Sequence, residues 1–147
     1  MYSEPLSHLP DPRYQQEFYD GVTAKRGIAW VIDVVVISII TLLVSTFTIV
    51  GLFILPLMYA TISFLYRWLT IAGGSATPGM RIMAIELRDS YGQRLNSGQA
   101  LLHTVGYFVT MTTVLLQLGS IGAMFATDRG QGLSDLVLGT VALNRRR

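Results

Sequence analysis

Two charged residues interrupt long apolar stretches of the chain, and their types could support chemistry there. Asp33 is the one charged residue in residues 27–50, and Arg67 is the one charged residue in residues 52–71. Inside hydrocarbon an ionised side chain costs about 2.5–3.5 kcal/mol or more, so such residues are paired, hydrated or part of a pathway for ions or protons. Asp33 is therefore interpreted either as a cation or proton site or as half of a salt bridge that fixes the helix register.

The positions of the charged residues predict which of them meet. Arg26 precedes Asp33 by seven positions, which is about 10 Å along a helix axis. Helical side chains lean towards the N-terminus, so Arg26 points away from Asp33. In an antiparallel pair of helices Arg67 lies at a depth comparable to that of Asp33, and we predict a contact between these two. We also predict that Arg26 contacts Asp135 or Asp128.

Polar and small side chains follow one face of the third apolar segment, residues 99–126. At spacings of 3, 4, 3 and 4 along this face lie His103, Gly106, Thr110, Thr113 and Gln117. Such a face lets helices approach closely and form hydrogen bonds across the contact. The alternative is a hydrated seam for a cation or proton, in which His103 titrates near physiological pH. Against that alternative, the first apolar segment has no matching polar stripe.

The elements that hold these residues are predicted to be membrane helices. The chain has 147 residues, of which 51% are hydrophobic and only 14% are charged. A soluble domain carries about 25% charged residues. Residues 27–50 and 52–71 are each long enough to cross a hydrocarbon core of about 30 Å, and residues 99–126 form a third candidate span. We therefore expect the lipid bilayer to surround much of the protein.

The composition also excludes several kinds of site. The chain has no cysteine, so disulfides and thiolate ligands are absent. Its two histidines are too few for a metal site, and neither a catalytic triad nor a pair of catalytic carboxylates is visible. We expect no enzymatic activity, no catalytic residue, no cofactor and no metal. The basic residues form no stripe of the kind that binds nucleic acid.

The basic residues predict the orientation of the first two spans. Lys25 and Arg26 precede the first span, arginines are frequent in residues 72–98, and the connection between the spans carries neither lysine nor arginine. Cytoplasmic loops carry the excess of basic residues. The N-terminus, including a polar lead-in at residues 1–22, and residues 72–98 are therefore predicted to be cytoplasmic. Residues 23–147 form the membrane domain.

Two further predictions concern the rest of the chain. Apolar and polar residues alternate over residues 81–89, which predicts a strand of a small β-hairpin on the cytoplasmic face, with Ser97 as the N-cap of the next helix. The third segment either crosses the membrane once or is broken around residues 117–120 and returns. The basic tail at Arg145, Arg146 and Arg147 favours the return. These three arginines could also bind anionic lipid.

Several motifs recur in a recognisable order. They are RGIAWVIDVVVI in the first span, TPGMRIMAIELRDSYG after the second span, SGQALLHTV at the start of the third helix, and DRGQGLSDLVLGTVAL near the end. In this order they resemble the RDD family of bacterial membrane proteins, named for one arginine and two aspartates. The matching positions are Arg26, Asp33 and Asp135. The chain differs from the usual pattern at Met80, Ser134 and His103, where the family has lysine, histidine and arginine.

The resemblance implies an all-α protein of the bacterial cytoplasmic (inner) membrane. We expect a two-helix hairpin and a third helix, broken or re-entrant, with the β-hairpin between the second and third helices. A few RDD proteins are reported or proposed as cation/proton antiporters. We predict a non-catalytic membrane module or accessory subunit that packs as a homo-oligomer or within a larger membrane complex. The alternative is an antiporter in which Asp33 and Asp135 titrate.

Overall fold

The computed structural model describes residues 9–145, which are mostly helical. After a single 3-10 turn at Gln16–Phe18, the elements follow in the order α1 Val22–Phe47, α2 Ile49–Phe53, α3 Leu55–Gly74, α4 Pro78–Ile82, β1 Ile85–Arg88, α5 Ser97–Thr112, α6 Val114–Ala126, α7 Leu133–Leu138 and β2 Val141–Asn144. Helix α1 packs against α3 and α4, and α3 also packs against α5.

Helix α1 buries one narrow stripe and leaves the rest of its apolar surface exposed. The buried side chains lie mostly four residues apart, at Val22, Ala29, Asp33, Ile37, Thr41 and Ser45. Large apolar side chains on its other faces, such as Val31, Val35 and Leu43, are about half exposed. Among the described residues, the segment Gln16–Phe47 is the one helix long and apolar enough to cross a membrane by itself. Lipid or partner helices would cover these exposed faces.

The second predicted span, residues 52–71, corresponds to α2 and α3. Pro56 lies in the first turn of α3, where its missing N–H removes no helical hydrogen bond. The helix ends at Gly74, and its C-cap Ser75 adopts the left-handed conformation with φ 58°. Helix α3 is not among the described helices that are long and apolar enough to cross a membrane alone, so its crossing stays a prediction.

The predicted break in the third apolar segment is confirmed, but its position is different. The chain bends by 118° between α5 and α6, and the extended residue between them is Thr113. Residues 117–120, where the break was predicted, lie within α6. Hydroxyls of Thr110 and Thr112 donate to the carbonyls of Tyr107 and Val109, three residues earlier. Such side-chain bonds compete with the helical backbone pattern and accompany the bend, although hydroxyls within the unbroken α1 form similar bonds.

The predicted β-hairpin between α3 and α5 is wrong, although the strand itself exists. Strand β1 pairs antiparallel with β2 at the end of the described chain, with Ile85 opposite Asn144 and Arg88 opposite Val141. Directly after β1 the carboxylate of Asp89 accepts hydrogen bonds from two backbone N–H groups of the following turn. The turn leads straight into α5, so no local strand forms. The buried, apolar β2 occupies the place of the partner instead.

The N-terminus of α5 also differs by one residue from the prediction. Its N-cap is Asn96, whose side chain accepts from the N–H of Gln99, while the Gln99 side chain accepts from the N–H of Asn96. This reciprocal capping satisfies two backbone donors that would otherwise lack partners. Ser97 is the first helical residue. Below the sheet, a buried apolar cluster joins the sheet to α1, α3, α4 and α5; its largest members include Ile71, Met80, Ile85, Leu87 and Leu95.

Candidate functional site

A cavity of about 130 Å³ lies between α1, α3, α5 and α6 and collects most of the polar residues singled out in the sequence. Its lining includes Arg26, Asp33, Arg67, His103, Thr110 and Gln117, together with Trp30, Met80, Tyr107, Ser120, Ile121, Met124 and Ser134. Of the five residues predicted to share one face of the third apolar segment, three line the cavity: His103, Thr110 and Gln117. The other two do not line the cavity: Thr113 forms the bend, and Gly106 packs closely against Ser134 of α7.

Asp33 is buried, and its partners are neutral donors. One carboxylate oxygen accepts from the hydroxyl of Tyr66 at 2.9 Å and from the N–H of Gly79 at 2.8 Å. The other oxygen accepts from the hydroxyl of Thr77. The predicted contact between Asp33 and Arg67 is therefore wrong. The carboxylate is held by the segment that follows α3, which approaches α1 more closely than the arginine does.

The Thr77-Pro78-Gly79 turn explains how that segment reaches Asp33. Thr77 caps α4 and Pro78 opens the helix, which presents the N–H of Gly79 to the carboxylate. A Cβ at position 79 would lie 2.2 Å from the carbonyl oxygen of Ala29 and 2.8 Å from the carboxylate. Only glycine lets α4 pack this closely on α1. The sequence showed the turn but gave no signal that it binds Asp33.

Asp135 forms a second, fully buried carboxylate centre with four partners. One oxygen accepts from Arg26 Nη1 at 2.6 Å and from the N–H of Gly132 at 3.1 Å. The other accepts from the hydroxyl of Thr140 at 2.8 Å and lies 3.1 Å from His103 Nε2. An ionised carboxylate has about four acceptor positions, so this one is saturated. The predicted contact between Arg26 and Asp135 is present.

The neighbours of Asp135 determine its charge. Burial by itself raises the pKa of the Asp135 carboxyl, because water no longer solvates the ionised form. The positive charge of Arg26 and the hydrogen bond from His103 act in the opposite direction and prevail, so the pKa lies well below its usual range. Asp135 is therefore a permanent anion at neutral pH.

Arg67 is buried without a hydrogen-bond acceptor. The residue is only 6% exposed, and its Nε and Nη2 have no hydrogen-bond partner within the part of the chain that the structure describes. The guanidinium lies over the ring of Tyr107, with 3.9 Å from Cζ to the ring centroid. The hydroxyl of Tyr107 in turn accepts from Trp30 Nε1 at 2.7 Å. A cation–π contact of this kind compensates a buried charge only in part.

The remaining predicted residues lie elsewhere. Asp128 lines a separate surface depression with Tyr19 and Asp20, and the ion pair of Arg26 is with Asp135. Arg145 lies 3.4 Å from Glu86, which also binds Arg88, and the proposed lipid contacts of Arg146 and Arg147 lie outside the described residues. Within residues 9–145 no group of three His, Asp or Glu side chains could hold a metal ion.

The comparisons with known proteins address the family. The model of the RDD family matches residues 21–139, a range that contains Arg26, Asp33 and Asp135. No curated protein and no solved structure matches the chain significantly. RDD proteins are a membrane family, in agreement with the long apolar helix α1. The resemblance seen in the sequence motifs is confirmed, and the chain belongs to the RDD family.

Proposed function

We propose that the protein is a non-catalytic membrane module whose buried carboxylates fasten its helices together, and that it packs against itself or within a larger membrane complex. The observation that carries the proposal is that each buried carboxylate is held by hydrogen bonds from several elements, three at Asp33 and four at Asp135. Asp33 joins α1 to α3 and α4, and Asp135 joins α7 to α1 and α5. Such contacts specify how helices are arranged.

The cation/proton antiporter, the alternative function, is less compatible with this geometry. A transported cation needs carboxylate lone pairs that are free to bind it, and a proton carrier needs a carboxylate that titrates during transport. The oxygens of Asp33 already accept three hydrogen bonds from fixed groups. The pKa of Asp135 lies below its usual range, which favours a permanent charge over cyclic protonation.

The apolar surface of the protein supports the packing part of the proposal. Leu102, Val105 and Val109 of α5 are exposed, as are Leu115 and Leu118 of α6. In a membrane these faces are covered by lipid or by other helices, and helices that pack tightly form a defined complex. We propose a homo-oligomer or a larger assembly in the bacterial cytoplasmic membrane, with the N-terminus on the cytoplasmic side.

The antiporter is tested with the full chain in liposomes that contain a pH-sensitive dye. A sodium or potassium gradient is applied to the wild-type protein, to Asp33→Asn and to the control Asp128→Asn, whose carboxyl group lies outside the cavity. We expect no cation-driven proton movement above that of empty liposomes in any of the three. Proton movement that Asp128→Asn retains and Asp33→Asn loses would overturn the proposal in favour of the antiporter.

The packing part is tested by the mass of the complex after extraction of the tagged full chain in a mild detergent. We expect a stoichiometric assembly, either of identical chains or with a larger partner. A stable monomer that brings no partner through purification contradicts this part of the proposal. The two experiments are independent, because a transporter could also form oligomers.

A further inference from the structure

Three arginine side chains converge on one buried carboxylate beside the small sheet. Glu86 of β1 is only 6% exposed, and it forms ion pairs with Arg88, Arg94 and Arg145, the longest at 3.8 Å. One arginine is enough to neutralise one glutamate. Among the described residues no other carboxylate pairs with these three arginines. The group therefore carries a surplus of two positive charges.

Two of the three arginines have donors that are not engaged. Arg88 is occupied, since its Nε and Nη2 donate to Glu86 and its Nη1 donates to the carbonyl of Gly92. Arg94 reaches Glu86 only at 3.8 Å, which is beyond hydrogen-bond distance. Arg145 Nε lies 3.4 Å from Glu86 Oε2, and neither atom has a hydrogen bond within residues 9–145. Attraction between charges alone therefore holds Arg94 and Arg145 to the glutamate.

The unengaged donors are accessible, whereas the carboxylate lies behind them. The side chains of Arg94 and Arg145 are 61% and 34% exposed, while that of Glu86 is 8% exposed and its Oε2 is buried. An anion that approaches from outside meets the guanidinium groups first. Both arginines approach the same oxygen of Glu86, so they are neighbours. One phosphate group can accept charge-assisted hydrogen bonds from both.

The position of these arginines relative to the membrane favours a lipid as the source of the phosphate. Trp68 of α3 donates from Nε1 to the carbonyl of Ser97, the first residue of α5, at 3.2 Å. Tryptophan and tyrosine are enriched where a membrane meets water. Arg94 precedes Ser97 by three residues, and Tyr91, which is 68% exposed, lies in the turn before it. In a membrane protein this places Arg94 at the level of the lipid headgroups.

We propose that the arginine cluster, formed by Arg88, Arg94 and Arg145 around Glu86, binds the phosphate of an anionic phospholipid headgroup. Arg94 and Arg145 supply the donors, and Arg88 holds the glutamate that keeps them together. The surplus charge favours a lipid with a net negative charge, such as phosphatidylglycerol, over a zwitterionic lipid. The site requires that the protein resides in a membrane, and it is independent of the choice between packing module and antiporter.

The test is thermal unfolding of the full chain in mixed micelles of an uncharged detergent. Increasing mole fractions of phosphatidylglycerol are compared with equal fractions of phosphatidylcholine, and a further series compares inorganic phosphate with chloride at equal ionic strength. The proteins are the wild type, the double variant Arg94→Gln/Arg145→Gln, and the control Arg81→Gln, which removes an exposed arginine bonded to the carbonyl of Thr70. We expect phosphatidylglycerol to raise the melting temperature of the wild type and of the control above the value in phosphatidylcholine.

For the double variant we expect the mole fraction of phosphatidylglycerol at half effect to rise about tenfold or more, because two basic contacts are lost. If this variant does not fold, Arg94→Gln alone replaces it and should raise that fraction severalfold. The proposal is overturned if the two lipids act alike on the wild type, if the cluster variant responds as the wild type does, or if Arg81→Gln loses as much as the cluster variant. Inorganic phosphate that stabilises the wild type as strongly as phosphatidylglycerol overturns the lipid as the source.

Discussion

Arg26 and Arg67 line the same cavity but are held in opposite ways. Arg26 donates to Asp135 at 2.6 Å and to the carbonyl of Gly130 at 3.2 Å, so its charge is neutralised by direct contact. Arg67 is buried more completely than Arg26, yet it has the ring of Tyr107 beside it and no acceptor for Nε or Nη2. Arg26 is part of a complete hydrogen-bond network, whereas Nε and Nη2 of Arg67 have no hydrogen-bond partner among the described residues.

The difference teaches that burial alone does not reveal the role of a charged residue. A buried ion that has all its partners contributes to the arrangement of the helices, and removing one partner leaves the other charge uncompensated. A buried ion without partners costs free energy, so replacing it by an apolar side chain also removes that cost. The first kind is therefore sensitive to mutation, whereas the second should tolerate replacement by an apolar side chain.

The largest expected loss of stability comes from breaking the ion pair between Arg26 and Asp135. Asp135→Asn leaves Arg26 buried without its counter-ion, and we expect the free energy of unfolding to fall by about 3–5 kcal/mol. Denaturant titration in mixed micelles measures this change. The control is Asp128→Asn, which removes a carboxylate outside the cavity and should change the value by less than about 0.5 kcal/mol. Equal effects of the two variants would show that Asp135 does not fasten the fold.

A smaller effect is expected at the contact that holds Asp33. In Gly79→Ala the new methyl group would clash with the carbonyl oxygen of Ala29, so α4 has to move away from α1. The backbone N–H of residue 79 then loses its hydrogen bond to Asp33. Overpacking of this kind costs about 1–3 kcal/mol. Gly27→Ala is the matched control, because nothing lies within 4 Å of a Cβ there and alanine favours a helix. If Gly79→Ala is as stable as Gly27→Ala, the close approach of α4 to α1 is wrong.

Acid should weaken the Asp135 centre by protonating its carboxylate. Since the pKa of Asp135 in the folded protein lies below that in the unfolded chain, the ionised carboxylate stabilises the fold fully above about pH 4, the ordinary value. This stabilisation is lost as the pH falls from there through the folded pKa. The difference in stability between wild type and Asp135→Asn should therefore narrow below pH 4. A difference that stays constant across that range contradicts the ionised centre.

The smallest expected effect belongs to Arg67. Replacing Arg67 by methionine removes an unpaired buried charge, which stabilises the fold. It also removes the cation–π contact with the Tyr107 ring, which destabilises the fold, so the two effects partly cancel. We expect the free energy of unfolding to stay within about 1 kcal/mol of the wild type. The same titration of Arg26→Met provides the contrast. A loss at Arg67 as large as that at Arg26 would mean that Arg67 has a partner after all.

Local patterns in the sequence predicted local structure, and they failed where distant segments compete. The alternation over residues 81–89 correctly indicated a strand, but only Ile85–Arg88 form it, the first two positions belong to α4, and β1 pairs with β2, more than fifty residues later. Periodicity shows that a strand needs a partner and does not identify it. In the same way, Asp33 and Arg67 were predicted to pair because they lie at similar depths in neighbouring spans. The true partners Thr77 and Gly79 were missed, because the Thr-Pro-Gly motif looks like an ordinary turn until its position against α1 is known.

His103 and Thr110 lie on α5 and line the cavity as the spacing suggested, but Gln117 reaches the cavity from α6, beyond the bend, so the predicted single helix face does not exist. The bend at Thr113 could not be placed, because threonines within an apolar helix either tolerate or disrupt it according to the packing around them. The contact of Arg26 with Asp135 was predicted only as one of two choices, since it spans 109 positions of the chain.

The contrast between the two arginines is tested most directly by two double-mutant cycles measured side by side. One cycle combines Arg26→Gln with Asp135→Asn, and the other combines Arg67→Gln with Asp33→Asn, with the free energy of unfolding measured for each single and double variant. We predict a coupling of more than about 2 kcal/mol between Arg26 and Asp135, and of less than about 1 kcal/mol between Arg67 and Asp33. Couplings of equal size, or a larger one between Arg67 and Asp33, would contradict the account.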